Sequence, residues 1–163
     1  PFFLRMRPGN FPTIRLAQLA MLIHQSEHLF SKIKESNSVK DVKKWMDVTA
    51  NDYWHYHYRF DEQSSFKKKN LGAGMVNNIL INTVCIVLFA YGHFNKEQKF
   101  KDKAVQWLEE VTAESNSITK GFEQTGLKNK NAHDSQALIE LKNEYCSKKK
   151  CLDCAIGNAL LKN

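Results

Sequence analysis

Apolar residues recur along this chain mainly at three- and four-residue spacing, the period of an amphipathic helix. Pro12 is placed to begin the first helix, because proline fits the first helical position. Leu16, Leu19, Ala20, Ile23, Phe30 and Ile33 then form one stripe, interrupted at Glu27 and broadened by Leu22 and Leu29. That pattern predicts a helix to about Glu35 with the stripe turned to a core. Ser36-Asn37-Ser38 breaks it. Ser38 is a good N-cap for a short second helix with Val39, Val42, Trp45 and Met46 inward. Met75 to Tyr91 is apolar on nearly every face, which predicts a central helix surrounded by neighbours, with Gly92 as its stop.

Further helices follow. Phe100, Ala104, Trp107, Leu108 and Val111 mark one over residues ~96–113. Asn116 or Ser117 caps a shorter one with Ile118 and Phe122, ending at Gly126. Asp134 or Ser135 caps another with Ala137, Leu138, Leu141 and Tyr145 inward. The last carries Ile156, Ala159 and Leu160. One segment differs. Trp54-His55-Tyr56-His57-Tyr58-Arg59-Phe60 alternates with period two and reads as extended, although no partner strand is evident. The expected fold is all-α: a compact single domain over residues 1–163, with six to seven helices around a buried central helix of about residues 75–91.

The chain has 163 residues, one domain by length. Its composition, 42% hydrophobic and 25% charged, is that of an ordinary globular domain. The three prolines, Pro1, Pro8 and Pro12, all lie at the start, so nothing after Thr13 breaks a helix by proline chemistry. Met75–Tyr91 is short for a membrane span and contains Asn77, Asn78 and Asn82, so no membrane partner is expected. The opening Pro1-Phe2-Phe3-Leu4-Arg5 is no secretory signal, so a cytoplasmic location and reduced thiols are expected.

The net charge is +7, and the basic excess lies toward the two ends. Such an excess suits nucleic acid as a partner, through counterion release, or simply solubility. Arg5, Arg7 and Arg15 around the Pro-Gly-Asn-Phe-Pro turn, and the run Lys148-Lys149-Lys150, are the candidate phosphate contacts. The arginines suit better an anchor for the lead-in against acidic side chains, or a contact to a preceding part of the protein. The most specific chemical spacing is Cys146-x4-Cys151-x2-Cys154. A Cys-x2-Cys turn presents two thiolates to one tetrahedral ion, so zinc is the candidate cofactor, with His55, His57, His133 or Asp153 as fourth ligand. Small buried thiols are the plainer reading. His55-x-His57 has metal-ligand spacing on an extended segment, and with nearby carboxylates it defines an alternative, a metal-dependent hydrolase. A pair of histidines packed in an aromatic cluster is the simpler account. His24 and His28 read as surface groups. Phosphate-loop, dinucleotide, serine-nucleophile and H-E-x-x-H motifs are absent from the sequence.

Several strings carry a resemblance. They are Arg7-Pro8-Gly9-Asn10-Phe11-Pro12-Thr13-Ile14-Arg15, Tyr53-Trp54 through His57-Tyr58, Leu71-Gly72, Ile81-Asn82-Thr83-Val84, Leu88-Phe89-Ala90-Tyr91-Gly92, Asp134-Ser135-Gln136-Ala137-Leu138 and Cys146 through Gly157. In this order they resemble the C-terminal part of a bacterial family known only as domain of unknown function 2851. The chain departs at Cys85-Ile86, where the family commonly carries a proline. The resemblance implies no catalytic residue. It implies a longer protein whose preceding part is β-rich, faintly similar to nuclease cores, and the seat of any catalysis. The expected role here is therefore a non-catalytic accessory or interaction domain that assists nucleic-acid binding, with that preceding part as its partner.

Overall fold

The computed structural model describes residues 10–161. The fold is all-α, with one small hairpin. In order the elements are α1 (Pro12–Gln25), α2 (Leu29–Glu35), α3 (Val39–Met46), α4 (Asp52–His55), β1 (His57–Arg59) and β2 (Glu62–Gln63). Then come α5 (Ala73–Ile79), α6 (Cys85–Phe94), α7 (Gln98–Glu110), α8 (Ser117–Gln124), α9 (Ala132–Glu140) and α10 (Ala155–Leu161). Single π-helical segments, Leu80–Val84 and Leu141–Cys146, continue α5 into α6 and extend α9. Counting α5 and α6 as one rod, nine helices lie among the described residues, against the six to seven expected. The chain divides into two compact units, Pro1–Thr83 and Val84–Asn163.

In the first unit the expected long helix is two. His28 takes a left-handed conformation, φ 53°, and ends the register between α1 and α2, next to the Glu27 that interrupts the stripe. The face of α1 is also reversed from expectation. Leu16, Leu19 and Ile23 are exposed, while Thr13, Ile14, Gln18 and Leu22 are buried. Polar bonds decide this. Thr13 Oγ1 donates to the Tyr58 carbonyl at 2.6 Å, and Gln18 Nε2 donates to the Lys69 carbonyl at 3.1 Å. A buried amide or hydroxyl without a partner costs about 1–3 kcal/mol, so the face that holds the matching acceptors turns inward. Phe11, Ile14, Ala50 and Trp54 close a small core, with Ala17 and Tyr58 against it.

The short helix α3 follows its pattern. Ser38 caps it, accepting from the Lys40 amide, and Val39, Val42 and Met46 are buried, while Trp45 stays at the surface. The alternating segment is extended as its period predicts, but only after one helical turn, α4. Its partner strand is the two-residue β2, paired antiparallel as His57↔Gln63 and Arg59↔Glu62, around Asp61 at φ 63°.

The rod spanning residues 73–94 is not buried on all sides. In the first unit Val76, Leu80 and Ile81 are buried; in the second Val84, Cys85, Leu88 and Gly92 are buried, and Ile86, Val87, Phe89 and Phe94 are exposed. In the first unit α5 packs on α3; in the second α6 packs along α7, with Tyr91 edge-on to Phe100 at 5.2 Å between ring centroids. Gly92 lies inside α6 rather than beyond its end. A Cβ there would meet the Glu97 carbonyl oxygen at 2.8 Å and Phe100 Cβ at 3.0 Å, so the glycine permits the close turn into α7. On α7, Phe100, Ala104 and Trp107 are buried, and so is Val111 just beyond it.

The second unit is finished by polar knots. Asn116 and Thr119 form a capping box on α8, as the sequence suggested for Asn116. α9 begins earlier than expected, at a cap from Asn131, which frees Ser135 for the interior. The Ser135 hydroxyl donates to Asn129 Oδ1 at 2.7 Å and accepts from the Glu114 amide at 2.8 Å. Gly126, φ 88°, ends the α8 turn as read from the sequence.

Gly92→Ala should destabilise the protein by about 1–3 kcal/mol through backbone overlap, read as a lower denaturant midpoint at unchanged m-value. Burial pushes the Cys85 thiol up, from 9.0 to about 11. Its folded value lies above its unfolded one, so its contribution to stability is complete below pH 9.0 and disappears as pH rises toward about 11. Timed alkylation at pH 8 should label the exposed Cys146 and Cys151 first, and Cys85 only on unfolding.

Candidate functional site

The first unit holds an open pocket of about 420 Å³. Its apolar wall includes Leu22, Val48, Leu71 and Met75, and its polar end is Asn10, Arg15 and Gln18. The helix α1 places Arg15 and Gln18 one turn apart. Arg15 Nη1 donates to Gln18 Oε1 at 2.9 Å, and Nη2 donates to Asn10 Oδ1 at 2.6 Å. Gln18 is thus engaged at both ends of its amide, and the Lys69 carbonyl that it reaches also accepts from the Ala50 amide at 3.0 Å. The bridge Thr49↔Asn70 holds these two strands of loop together. Partial burial pushes the Arg15 ionisation below its ordinary value. Both of these acceptors are neutral amides, and no ion pair among the described residues includes Arg15.

Sequence reasoning singled out Arg15 but missed Gln18, Asn10 and Lys69. A signal existed for Gln18: it stands between Ile14 and Leu22 at i,i+4 spacing, a polar residue in the middle of the truly buried row. Lys69 closes the polar segment Lys67-Lys68-Lys69, yet it is only 4% exposed. Its Nζ donates to the His55 carbonyl at 3.2 Å and the Lys67 carbonyl at 3.0 Å, and lies 3.9 Å from the Tyr58 ring centroid. Carbonyl dipoles and an aromatic face substitute for a carboxylate there.

His55, at the end of α4, and His57, in β1, make separate contacts. The His57 ring stacks on Tyr53, 4.0 Å between centroids, and its Nδ1 lies 2.8 Å from the Tyr53 carbonyl. His55 meets Phe66 edge-on at 5.6 Å, and its buried Nδ1 has no hydrogen-bond partner among the described residues. These contacts fit the aromatic-cluster account, and the hydrolase reading of His55 and His57 is not favoured. His24 and His28 are exposed, as read from the sequence.

In the second unit a mostly apolar cavity of about 310 Å³ brings together Cys146, Cys151 and Cys154, with Phe122, Leu127 and Tyr145 among its other walls. All four cysteines are free thiols. Gly157 lets α10 close on the loop, since a Cβ would lie 2.4 Å from the Cys151 carbonyl oxygen. Among the described residues no group of three or more His, Cys, Asp or Glu is placed to hold a metal ion, so the thiols share a cavity without forming a ligand set as they stand. Lys148, Lys149 and Lys150 are exposed on the adjoining loop. Lys148 pairs with Glu144, and that hydrogen bond holds the Glu144 carboxyl below its ordinary range. Arg5 and Arg7 lie outside the described residues.

No match to this chain is found among curated proteins or among solved structures. A family model does match, over residues 1–117, which is more than half of the chain and includes the Arg15 pocket, the hairpin and the rod. The chain belongs to the family described as Protein of unknown function (DUF2851).

Proposed function

We propose that this chain is a non-catalytic helical interaction module of a larger bacterial, cytoplasmic protein. It docks on the preceding part of that protein and lends positive charge to nucleic-acid binding. The observation that carries the reading is the outward face of α6. Ile86, Val87, Phe89 and Phe94 are 59%, 45%, 44% and 87% exposed, four large apolar residues on the outward side of one helix. Burying such side chains stabilises an interface by roughly 1.5–3 kcal/mol each at full burial, so a protein surface is a fitting cover for them. The rod Ala73–Phe94 is long and apolar enough to cross a membrane by length and composition. Asn77, Asn78 and Asn82 along it argue for a protein cover instead. The net charge of +7, with Lys149 and Lys150 exposed, supports the nucleic-acid part.

Hydrogen exchange on the full-length gene product tests the docking. Amides of α6 should be protected more strongly there than in this chain alone. Equal protection, or flotation of the full-length protein with lipid vesicles, would remove the reading. For the charge, anisotropy of a labelled duplex should show affinity falling steeply with salt. Replacing Lys149 and Lys150 by alanine should reduce the salt slope by about one for each phosphate that a lysine had neutralised.

A second reading concerns the thiols, because three cysteines line one cavity. Here the 146–154 loop closes on zinc as a structural knuckle, the ion supplying cross-links between Cys146, Cys151 and Cys154. Protein purified without chelator should then carry close to one equivalent of zinc and lose several kcal/mol of stability on chelation. Metal-free protein with unchanged stability in chelator leaves three reduced thiols.

A further inference from the structure

The pocket of the first unit holds an unbalanced charge. Its wall is apolar, yet a partly buried guanidinium stands at one end without a carboxylate among the described residues. Residues 1–9 contain no Asp or Glu either. Taking a cation out of water without an opposite charge is costly, and neutral amides repay only part of that cost. Asn10 and Gln18 occupy two of the five N–H donors of Arg15. Those two bonds, together with the Gln18 anchor on the Lys69 carbonyl, fix the guanidinium plane before any ligand arrives.

We infer that this pocket is a binding site for a small amphipathic monocarboxylate. The carboxylate meets the free donors of Arg15 and the apolar body lies against Leu22, Leu71 and Met75. A single negative charge is what the pocket can balance, because Lys69, the nearest cation of the adjoining loop, is turned to the His55 and Lys67 carbonyls and is not part of the pocket lining. A planar carboxylate matches a guanidinium fork in two parallel hydrogen bonds. The wall favours an apolar body over a sugar, since among the described residues it offers no further hydrogen-bonding side chain beyond Asn10, Arg15 and Gln18. The volume of about 420 Å³ falls within the ordinary range of small-molecule sites, roughly 300–1,000 Å³.

Calorimetric titration of the whole chain with octanoate tests the assignment, with 1-octanol and octylamine as probes of equal length. Octanoate should bind saturably at one site, and the alcohol and amine at least about tenfold more weakly, the scale of a charge-assisted bond. Arg15→Met keeps the stem and removes the charge, and should weaken octanoate by about tenfold or more. Leu19→Glu acts at a half-exposed position of the pocket wall one turn from Arg15 and supplies an internal carboxylate. It should weaken octanoate similarly while leaving the circular dichroism spectrum unchanged. If Arg15→Met fails to fold, Leu19→Glu compared with Leu19→Gln decides the matter: Leu19 is on the pocket wall, both variants alter that wall, and only the carboxylate should cost octanoate the tenfold. Octanoate binding no tighter than octanol, or unchanged in the folded charge-altering variants, overturns the inference.

Discussion

The amide of Gln18 governs the first unit. It sits at 2% exposure, donates to a loop carbonyl 51 residues away and accepts from Arg15 on its own helix. Once that amide is inside, the rotation of α1 is fixed. Ile14 and Leu22, one turn either way, go in with it, and Leu16 and Ile23 are left outside. A purely apolar rule would have turned the helix the other way, because the stripe with more large residues is the one now in water. The energy of satisfying a buried amide is comparable with that of burying one large side chain, so a single polar anchor can overrule a stripe when the hairpin offers a matching acceptor.

The pocket is a consequence of the same rotation. With Gln18 anchored, Arg15 is drawn to the pocket end and held flat between two amide oxygens. The neighbouring Lys69 is neutralised differently, by carbonyls and the Tyr58 ring. Lys69 is therefore satisfied by carbonyls and a ring, whereas Arg15 makes two bonds to neutral amides at the edge of a cavity. That asymmetry, rather than the overall excess of lysine, distinguishes a ligand site from a solvated basic surface.

In the second unit close backbone approach plays the governing part. Gly92 lets α7 begin within a few ångströms of α6, and this approach determines which side of the apolar rod is covered. Leu88 and Gly92 lie inside, and Ile86, Phe89 and Phe94 outside. Ser135, Asn129 and Glu114 tie the loops beyond α7 through side-chain-to-backbone bonds, which stabilise them without a large core. The Cys-x2-Cys turn is closed over a cavity by the missing Cβ of Gly157. Close packing and the thiol spacing coexist there, and the spacing alone does not bring sulfurs into ligand positions.

The sequence by itself determined the fold class, most helix positions, the caps at Ser38 and Asn116, the stop at Gly126 and the extended character of residues 57–59. These follow from local forces: hydrophobic period, side-chain capping and the freedom of glycine act within a few residues. Family membership was legible too, in ordered strings from Arg7 onward. Only the tertiary structure decided which of two helix faces is buried, that His28 divides one predicted helix into two, that α9 starts at Asn131, and that Arg15 borders a pocket. Each of those depends on a partner far along the chain, such as the Lys69 carbonyl for Gln18 or the Glu97 carbonyl beside Gly92. Periodicity reports how apolar each face is; it carries no information about where a buried acceptor will stand, and at these positions the acceptor prevailed.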